Sequence, residues 1–146
     1  MRIPNKFAKS DYELYEKVEA GVVLSGPEVK SVKLGQIDLS RGYIKILPNK
    51  FGQHEVWLLG VHIYPYAHAD NSKYDPARAR KLLLHQREIL ALETRMKQAR
   101  LLIVPLAMYT HSGNIKLELA LARGKKKFEK REDIKKRDLD RECGKM

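Results

Sequence analysis

Early in the chain, apolar residues are set among carboxylates. Tyr12, Leu14, Val18 and Val22-Val23-Leu24 have Glu13, Glu16 and Glu19 between them, which predicts a half-buried strand. Residues 5–10 are short, polar and basic (Lys6, Lys9) and predict a leader rather than an element. Ser25-Gly26-Pro27-Glu28 predicts a helix start: serine with glutamate three residues on makes a capping box, and a first turn tolerates proline. Val29 and Val32 would face inward, with Gly35 stopping the helix after about two or three turns. Residues 43–47 alternate like a strand, and residues 56–63 are apolar enough for a second that Pro65 ends. Between them Pro48-Asn49-Lys50-Phe51-Gly52-Gln53 is turn chemistry, so the two predict a hairpin.

The clearest periodicity falls over residues 76–99. Asp75 predicts a cap and Pro76 a first helical position, while Leu82, His85, Ile89, Leu92, Met96 and Ala99 recur at three-four spacing on one face. Arg78, Arg80, Lys81 and Arg87 fall mostly elsewhere. Leu82-Leu83-Leu84 does not fit a single stripe, because consecutive helical residues point in different directions. Either the helix breaks near His85 or one leucine is exposed for a partner. Residues 101–109 and 114–121 predict a second hairpin across His111-Ser112-Gly113, with Lys116, Glu118 and Ala120 alternating against Leu117, Leu119 and Leu121. The chain thus reads as mainly β with helices: about five or six strands in meander-like order and two or three packed helices. Closing so short an antiparallel sheet into a small barrel would hide its edges.

Charge changes this picture. The chain has 146 residues and a formal net charge of +11. From Arg123 to Met146 it holds 11 basic and 6 acidic residues, a net +5, which leaves +6 on the part before it. Residues 1–123 therefore read as a domain and residues 124–146 as a basic tail. The join, Arg123-Gly124-Lys125-Lys126-Lys127-Phe128-Glu129-Lys130-Arg131, puts cations, one flat ring and a glycine together. Cations suit phosphates, a ring suits a base and a glycine can aim both, so the first expectation is a nucleic acid. An acidic membrane surface ranks second, for want of a basic amphipathic helix with aromatic anchors.

Cys143 is the one cysteine, which excludes a disulfide within the chain and favours a reducing compartment. The first residues contain no apolar signal core, and the longest apolar run, residues 101–108, falls short of the roughly 20 residues of a membrane helix. A cytoplasmic protein is expected. His54, His62, His68, His85 and His111 are scattered without metal-ligand spacing, and no phosphate loop, nucleophile elbow or dinucleotide fingerprint occurs. No catalytic residue, metal or cofactor is therefore expected. What stands out is basic groups beside flat or polar ones: Arg78, Arg80 and Lys81; Lys125, Lys126 and Phe128; Asn5 and Lys6.

Several pieces together resemble the SmpB family of bacterial trans-translation. They are Glu19-Ala20-Gly21, Gly26-Pro27-Glu28-Val29-Lys30-Ser31, His62-Ile63-Tyr64-Pro65-Tyr66, the run from Asp75-Pro76-Ala77-Arg78 through Leu82-Leu83-Leu84-His85, and Gly124-Lys125-Lys126 through Glu129-Lys130-Arg131. The resemblance implies an oligonucleotide-binding-type barrel with packed helices. It implies a monomeric, non-enzymatic adaptor that binds the tRNA-like domain of transfer-messenger RNA and, with elongation factor Tu, brings it to stalled ribosomes. Carried over by motif, the RNA face comprises Asn5, Lys6, Glu19, Lys81, Leu83 and Lys116. Lysines would meet phosphates, Asn5 a base edge, Leu83 a splayed base, and Glu19 would accept hydrogen bonds from base amino groups. Gly124 is implied as a hinge, with Lys125, Lys126, Phe128, Glu129, Lys130 and Arg131 contacting the small-subunit decoding centre and message channel. Phe128 and Glu129 stand where the family more often has tyrosine or histidine and aspartate; a phenyl ring stacks but donates no hydrogen bond.

The tail is expected to be disordered when free, since little beyond Phe128 can be buried, and helical on the ribosome. No glycine or proline interrupts residues 125–143, and Glu132 with Lys136 and Asp133 with Arg137 pair at helical spacing. Composition alone would also allow a structural ribosomal protein with a basic extension, or a nuclease on a small barrel. Missing acid clusters weigh against the nuclease and the motif set against the ribosomal protein.

Overall fold

The computed structural model describes residues 2–124. In chain order the elements are β1 (Arg2–Pro4), α1 (Ala8–Asp11), β2 (Tyr12–Val22), α2 (Gly26–Lys33), β3 (Ile37–Asp38), β4 (Tyr43–Pro48), β5 (His54–Leu59), β6 (His62–Ile63), β7 (Arg80–Leu83), α3 (Gln86–Ala99), β8 (Leu102–His111) and β9 (Asn114–Gly124). Seven strands form one antiparallel sheet in the order β1-β8-β9-β2-β7-β5-β4, and β3 pairs with β6 apart from it.

Both expected hairpins are present. In the first, Asn49 Oδ1 accepts the N–H groups of Phe51 and Gln53, the asparagine turn chemistry that closes β4 onto β5. In the second, Ser112 and Gly113 take φ of 52° and 81°, the left-handed pair that matches strand twist, and set His111 opposite Asn114. The capping box also forms. Ser25 Oγ accepts from the Glu28 N–H at 3.4 Å, Glu28 Oε1 accepts from the Ser25 N–H at 3.0 Å, and Pro27 sits in the first turn. Gly35, at φ 77°, follows the helix end.

Four expectations are corrected. The leader contains β1, which pairs with β8, and the short α1, whose Ala8 is buried; proline is tolerated there because β1 is an edge. The helix expected over residues 76–99 begins only at Gln86, with His85 as its N-cap. Asp75 caps a turn instead, its Oδ1 accepting from the Ala77 N–H at 3.0 Å. β7 then follows with a two-residue period, Arg80 and Leu82 buried and Lys81 and Leu83 outward. The strand order is not a meander, since β2 lies between β9 and β7. Finally, the hydrogen-bond ladder ends at β1 and β4 rather than closing into a barrel. β4 comes against β8 without pairing, across an apolar cleft lined by Tyr12, Ile44, Ile46, Met96 and Ile103.

The core lies between the inner face of the sheet and α2 and α3. Val32 from α2 and Ile89 and Leu92 from α3 meet Val56, Leu58, Leu82, Leu117 and Leu119 there. Among the described residues no helix is long and apolar enough to cross a membrane. Residues 125–146, with Lys125, Lys126, Phe128, Glu129, Lys130 and Arg131 and the expected tail conformations, lie outside the described residues.

Candidate nucleic-acid interface

The register of the long strands brings distant residues into one row. Arg2 on β1 lies opposite Tyr109 on β8, Tyr109 opposite Lys116 on β9, Lys116 opposite Gly21 on β2, and Gly21 opposite Leu83 on β7. Directly opposed residues share a face, so these side chains rise together on the outer surface of the sheet. One step along, Glu19 lies opposite Glu118. The row is uneven because Gly21 has no side chain. A Cβ at Gly21 would come within 3.3 Å of Leu83 Cβ, so glycine is what lets the leucine lean over β2.

Two hollows flank Leu83, which is 55% exposed. One, of about 340 Å³, is lined by Glu19, Gly21, Leu83, His85, Glu88 and Lys116. The other, of about 370 Å³, has apolar walls from Val22, Leu24, Val29 and Ile115 and a basic edge at Lys116. An apolar ridge between two hollows, beside a lysine, can take unpaired bases against its sides and a phosphate at its rim.

Charges on this face are ordered. The Tyr109 hydroxyl donates to Glu19 Oε2 at 2.5 Å, and His111 Nδ1 stands 3.6 Å from Glu19 Oε1. The Tyr109 hydrogen bond holds the Glu19 carboxyl below the usual carboxylate range, against desolvation and with help from His111 and Lys116. Desolvation and the neighbouring carboxylate push the Tyr109 hydroxyl up to about 12, so it remains a donor at neutral pH. Arg2 lies 5.4 Å from the Tyr109 ring centroid and 3.5 Å from Glu118 Oε1.

Of the six residues expected on an RNA face, Glu19, Leu83 and Lys116 line one hollow. Lys81 is outward on β7 two residues from Leu83, its Nζ 3.5 Å from Glu55 Oε1, and borders the same leucine on the other side. Asn5 and Lys6 are not brought there. They line a separate hollow with Ile37, Asp38 and Leu39. The Asn5 side chain is tied locally: Nδ2 donates to the Pro105 carbonyl at 2.9 Å and Oδ1 accepts from the Phe7 N–H at 3.3 Å. Gly124 ends β9 opposite Tyr12.

The basic cluster expected from Arg78, Arg80 and Lys81 is split by the strand. Arg80 is wholly buried, donating to Glu28 Oε2 at 2.6 and 3.0 Å and to the carbonyls of Val61 and Pro76. Arg78 donates to the other oxygen, Oε1, while the Tyr74 hydroxyl joins Arg80 on Oε2 at 3.3 Å. Burial alone would raise the Glu28 pKa; the hydrogen bonds from Arg78, the Ser25 N–H and Arg80 outweigh it and hold it at about 2. These two arginines pin residues 74–80 to α2; Arg80 is lost to the surface, while Arg78 and Lys81 stay partly exposed, each beside a carboxylate. Sequence reasoning missed Arg2, Tyr109 and His111. The signal was available for Tyr109, since counting back from the turn at Ser112-Gly113 places it opposite Lys116.

A family model described as SmpB protein matches residues 2–146. An SsrA-binding protein of Solidesulfovibrio magneticus is 48% identical over 139 residues, covering 95% of this chain and 87% of the relative. That of Oleidesulfovibrio alaskensis is 48% identical over 138 residues, covering 94% and 86%. That of Malacoplasma penetrans is 42% identical over 143 residues, covering 98% and 94%. A solved structure described as "tmRNA-SmpB: a journey to the center of the bacterial ribosome" superimposes with a TM-score of 0.67 at 38% identity, covering 86% of this chain and 85% of that one.

Proposed function

The chain belongs to the SmpB family, and on that premise we propose that it binds the tRNA-like domain of transfer-messenger RNA and delivers it to stalled ribosomes for trans-translation. The observation that carries this reading on the chain itself is the hollow joining Glu19, Leu83 and Lys116. Three residues from β2, β7 and β9 meet there with an acceptor, an apolar ridge and a cation, the functions needed to hold a splayed base and its phosphate. Lys81 extends the cationic edge. Asn5 and Lys6 contact the RNA from their own hollow, Lys6 through phosphate and Asn5 once its amide turns from the Pro105 carbonyl.

The role is that of a non-enzymatic, monomeric adaptor in the cytoplasm, accompanied by elongation factor Tu. Residues 124–146 act as a separate ribosome-contacting unit. Gly124 serves as its hinge, and Lys125, Lys126, Phe128, Glu129, Lys130 and Arg131 meet the decoding centre and message channel.

The test is purification of the full chain from cells under mild salt, with sequencing of the RNA that accompanies it. Transfer-messenger RNA in stoichiometric amount is expected. Ribosomal RNA in its place at every growth stage would make this a structural component of the ribosome instead.

A further inference from the structure

Glu19 and Glu118 are directly opposed on β2 and β9, an arrangement in which like charges repel. The surrounding side chains separate them: Arg2 approaches Glu118, while the Tyr109 hydroxyl takes Glu19 Oε2 at 2.5 Å. This hydrogen bond lies at the surface, where the Glu19 side chain is 44% exposed, so it adds little to folding. What it fixes is a direction. With Oε2 occupied by Tyr109, Oε1 faces His111 Nδ1 at 3.6 Å, a long ion-pair distance that leaves a lone pair of this oxygen for a further donor. Glu19 lines the hollow that also holds Leu83 and Lys116.

We propose that Tyr109 is a positioning residue of the RNA face, its hydroxyl holding one oxygen of Glu19 so that the other is presented to an unpaired base in the hollow between Lys116 and Leu83. The inference rests on Glu19 being an RNA contact. The groups facing that carboxylate are Tyr109 and His111 from β8 and Lys116 and Glu118 from β9. Only Tyr109 among them both donates at short range and is itself steadied, by the Arg2 guanidinium over its ring. The acceptor then awaits the base already aimed, and binding does not bear the cost of ordering a long acidic side chain.

The test is a double-mutant cycle on the full chain, with a transcript of the tRNA-like domain of transfer-messenger RNA as probe. Tyr109→Phe is expected to weaken binding about threefold to tenfold, the scale of one hydrogen bond, with an unchanged melting temperature. Glu19→Ala is expected to weaken it by at least as much, and adding Tyr109→Phe to Glu19→Ala should cost nothing further. As an independent readout, carbon NMR of the Glu19 carboxyl should show its titration rising toward the ordinary value of 4.5 in Tyr109→Phe. If Glu19→Ala binds normally, the reading of Glu19 as an RNA contact fails and the inference falls with it. If Glu19→Ala weakens binding but Tyr109→Phe does not, the positioning role alone is overturned. A Tyr109→Phe penalty that persists undiminished in Glu19→Ala also overturns it, since the tyrosine would then touch the RNA itself.

Discussion

Glu28 shows how a residue placed for one local reason acquires a larger task. The capping box needs only its contact with the Ser25 N–H. Its other oxygen meets Arg80, a cation buried without any water-facing surface, so carboxylate and guanidinium each make the other's burial tolerable. Removing one partner leaves an uncompensated buried charge. Arg80→Met is therefore expected to destabilise the fold by about 3–5 kcal/mol, read by urea melts. The pH dependence has a definite sign. The Glu28 pKa falls from 4.5 to about 2 on folding, so its stabilisation is complete above the unfolded value. It is lost as pH drops from about 4.5 through about 2. Glu28→Gln should be less stable at neutral pH and show a shallower loss of stability over that acid window. An unchanged acid slope would mean the carboxylate is not held as described.

At the scale of elements, β7 is where reading and structure parted. Arg80-Lys81-Leu82-Leu83 sits beside a helical repeat that continues through Ile89, Leu92 and Met96, and a two-residue period over four residues is too short to stand against it. The buried Arg80 hid the strand further, because alternation is sought in apolar residues and here one inward position is a guanidinium. Of the two alternatives left open, the exposed leucine holds, with Leu82 inside and Leu83 outside, while His85 marks the start of the helix rather than a break within it. Elements governed by local chemistry were legible, namely the two hairpins and the capped α2. Pairings of β2 with β7, of β1 with β8, and of Ile37 with Ile63 were not, because each joins segments whose partners are set by the assembled core. The candidate hollow was legible in part. Glu19, Leu83 and Lys116 came from motif, whereas Tyr109 and Arg2 required the register. A matched pair of substitutions on β7 tests the assignment. Leu82→Ala should cost about 2–5 kcal/mol of stability as a core cavity. Leu83→Asp should leave the melting temperature nearly unchanged while weakening RNA binding about tenfold, the scale of one stacked or apolar base contact. A sharp fall in melting temperature for Leu83→Asp would return that leucine to the core.

For the whole molecule, the division of charge decides what each part can do alone. The part up to residue 122 carries +6 and the remainder +5, so neither is a neutral carrier for the other. Binding through lysines and arginines releases counterions, and log affinity should fall with log salt at about −0.7 to −0.9 per phosphate neutralised. A slope close to zero would leave the electrostatic contacts of Lys81 and Lys116 without support. The body holds the hollow beside Leu83 and keeps its own charge, so truncation after Gly124 should retain much of the affinity for the isolated RNA. That strand end is a clean place to cut, because Gly124 is the last residue paired with β2. The cut removes the cations Lys125, Lys126, Lys130 and Arg131 together with the ring of Phe128, which are the groups proposed to meet ribosomal RNA. Tagging of stalled chains in a reconstituted system should then be abolished while binding persists. Lys130→Glu combined with Arg131→Glu should separate the two activities in the same way, by opposing like charges to ribosomal phosphates. The two assays must be run on the same preparations. Should the truncated protein tag stalled chains as well as the full chain, the terminal residues contribute only charge and solubility, and the separate ribosome-contacting unit does not exist.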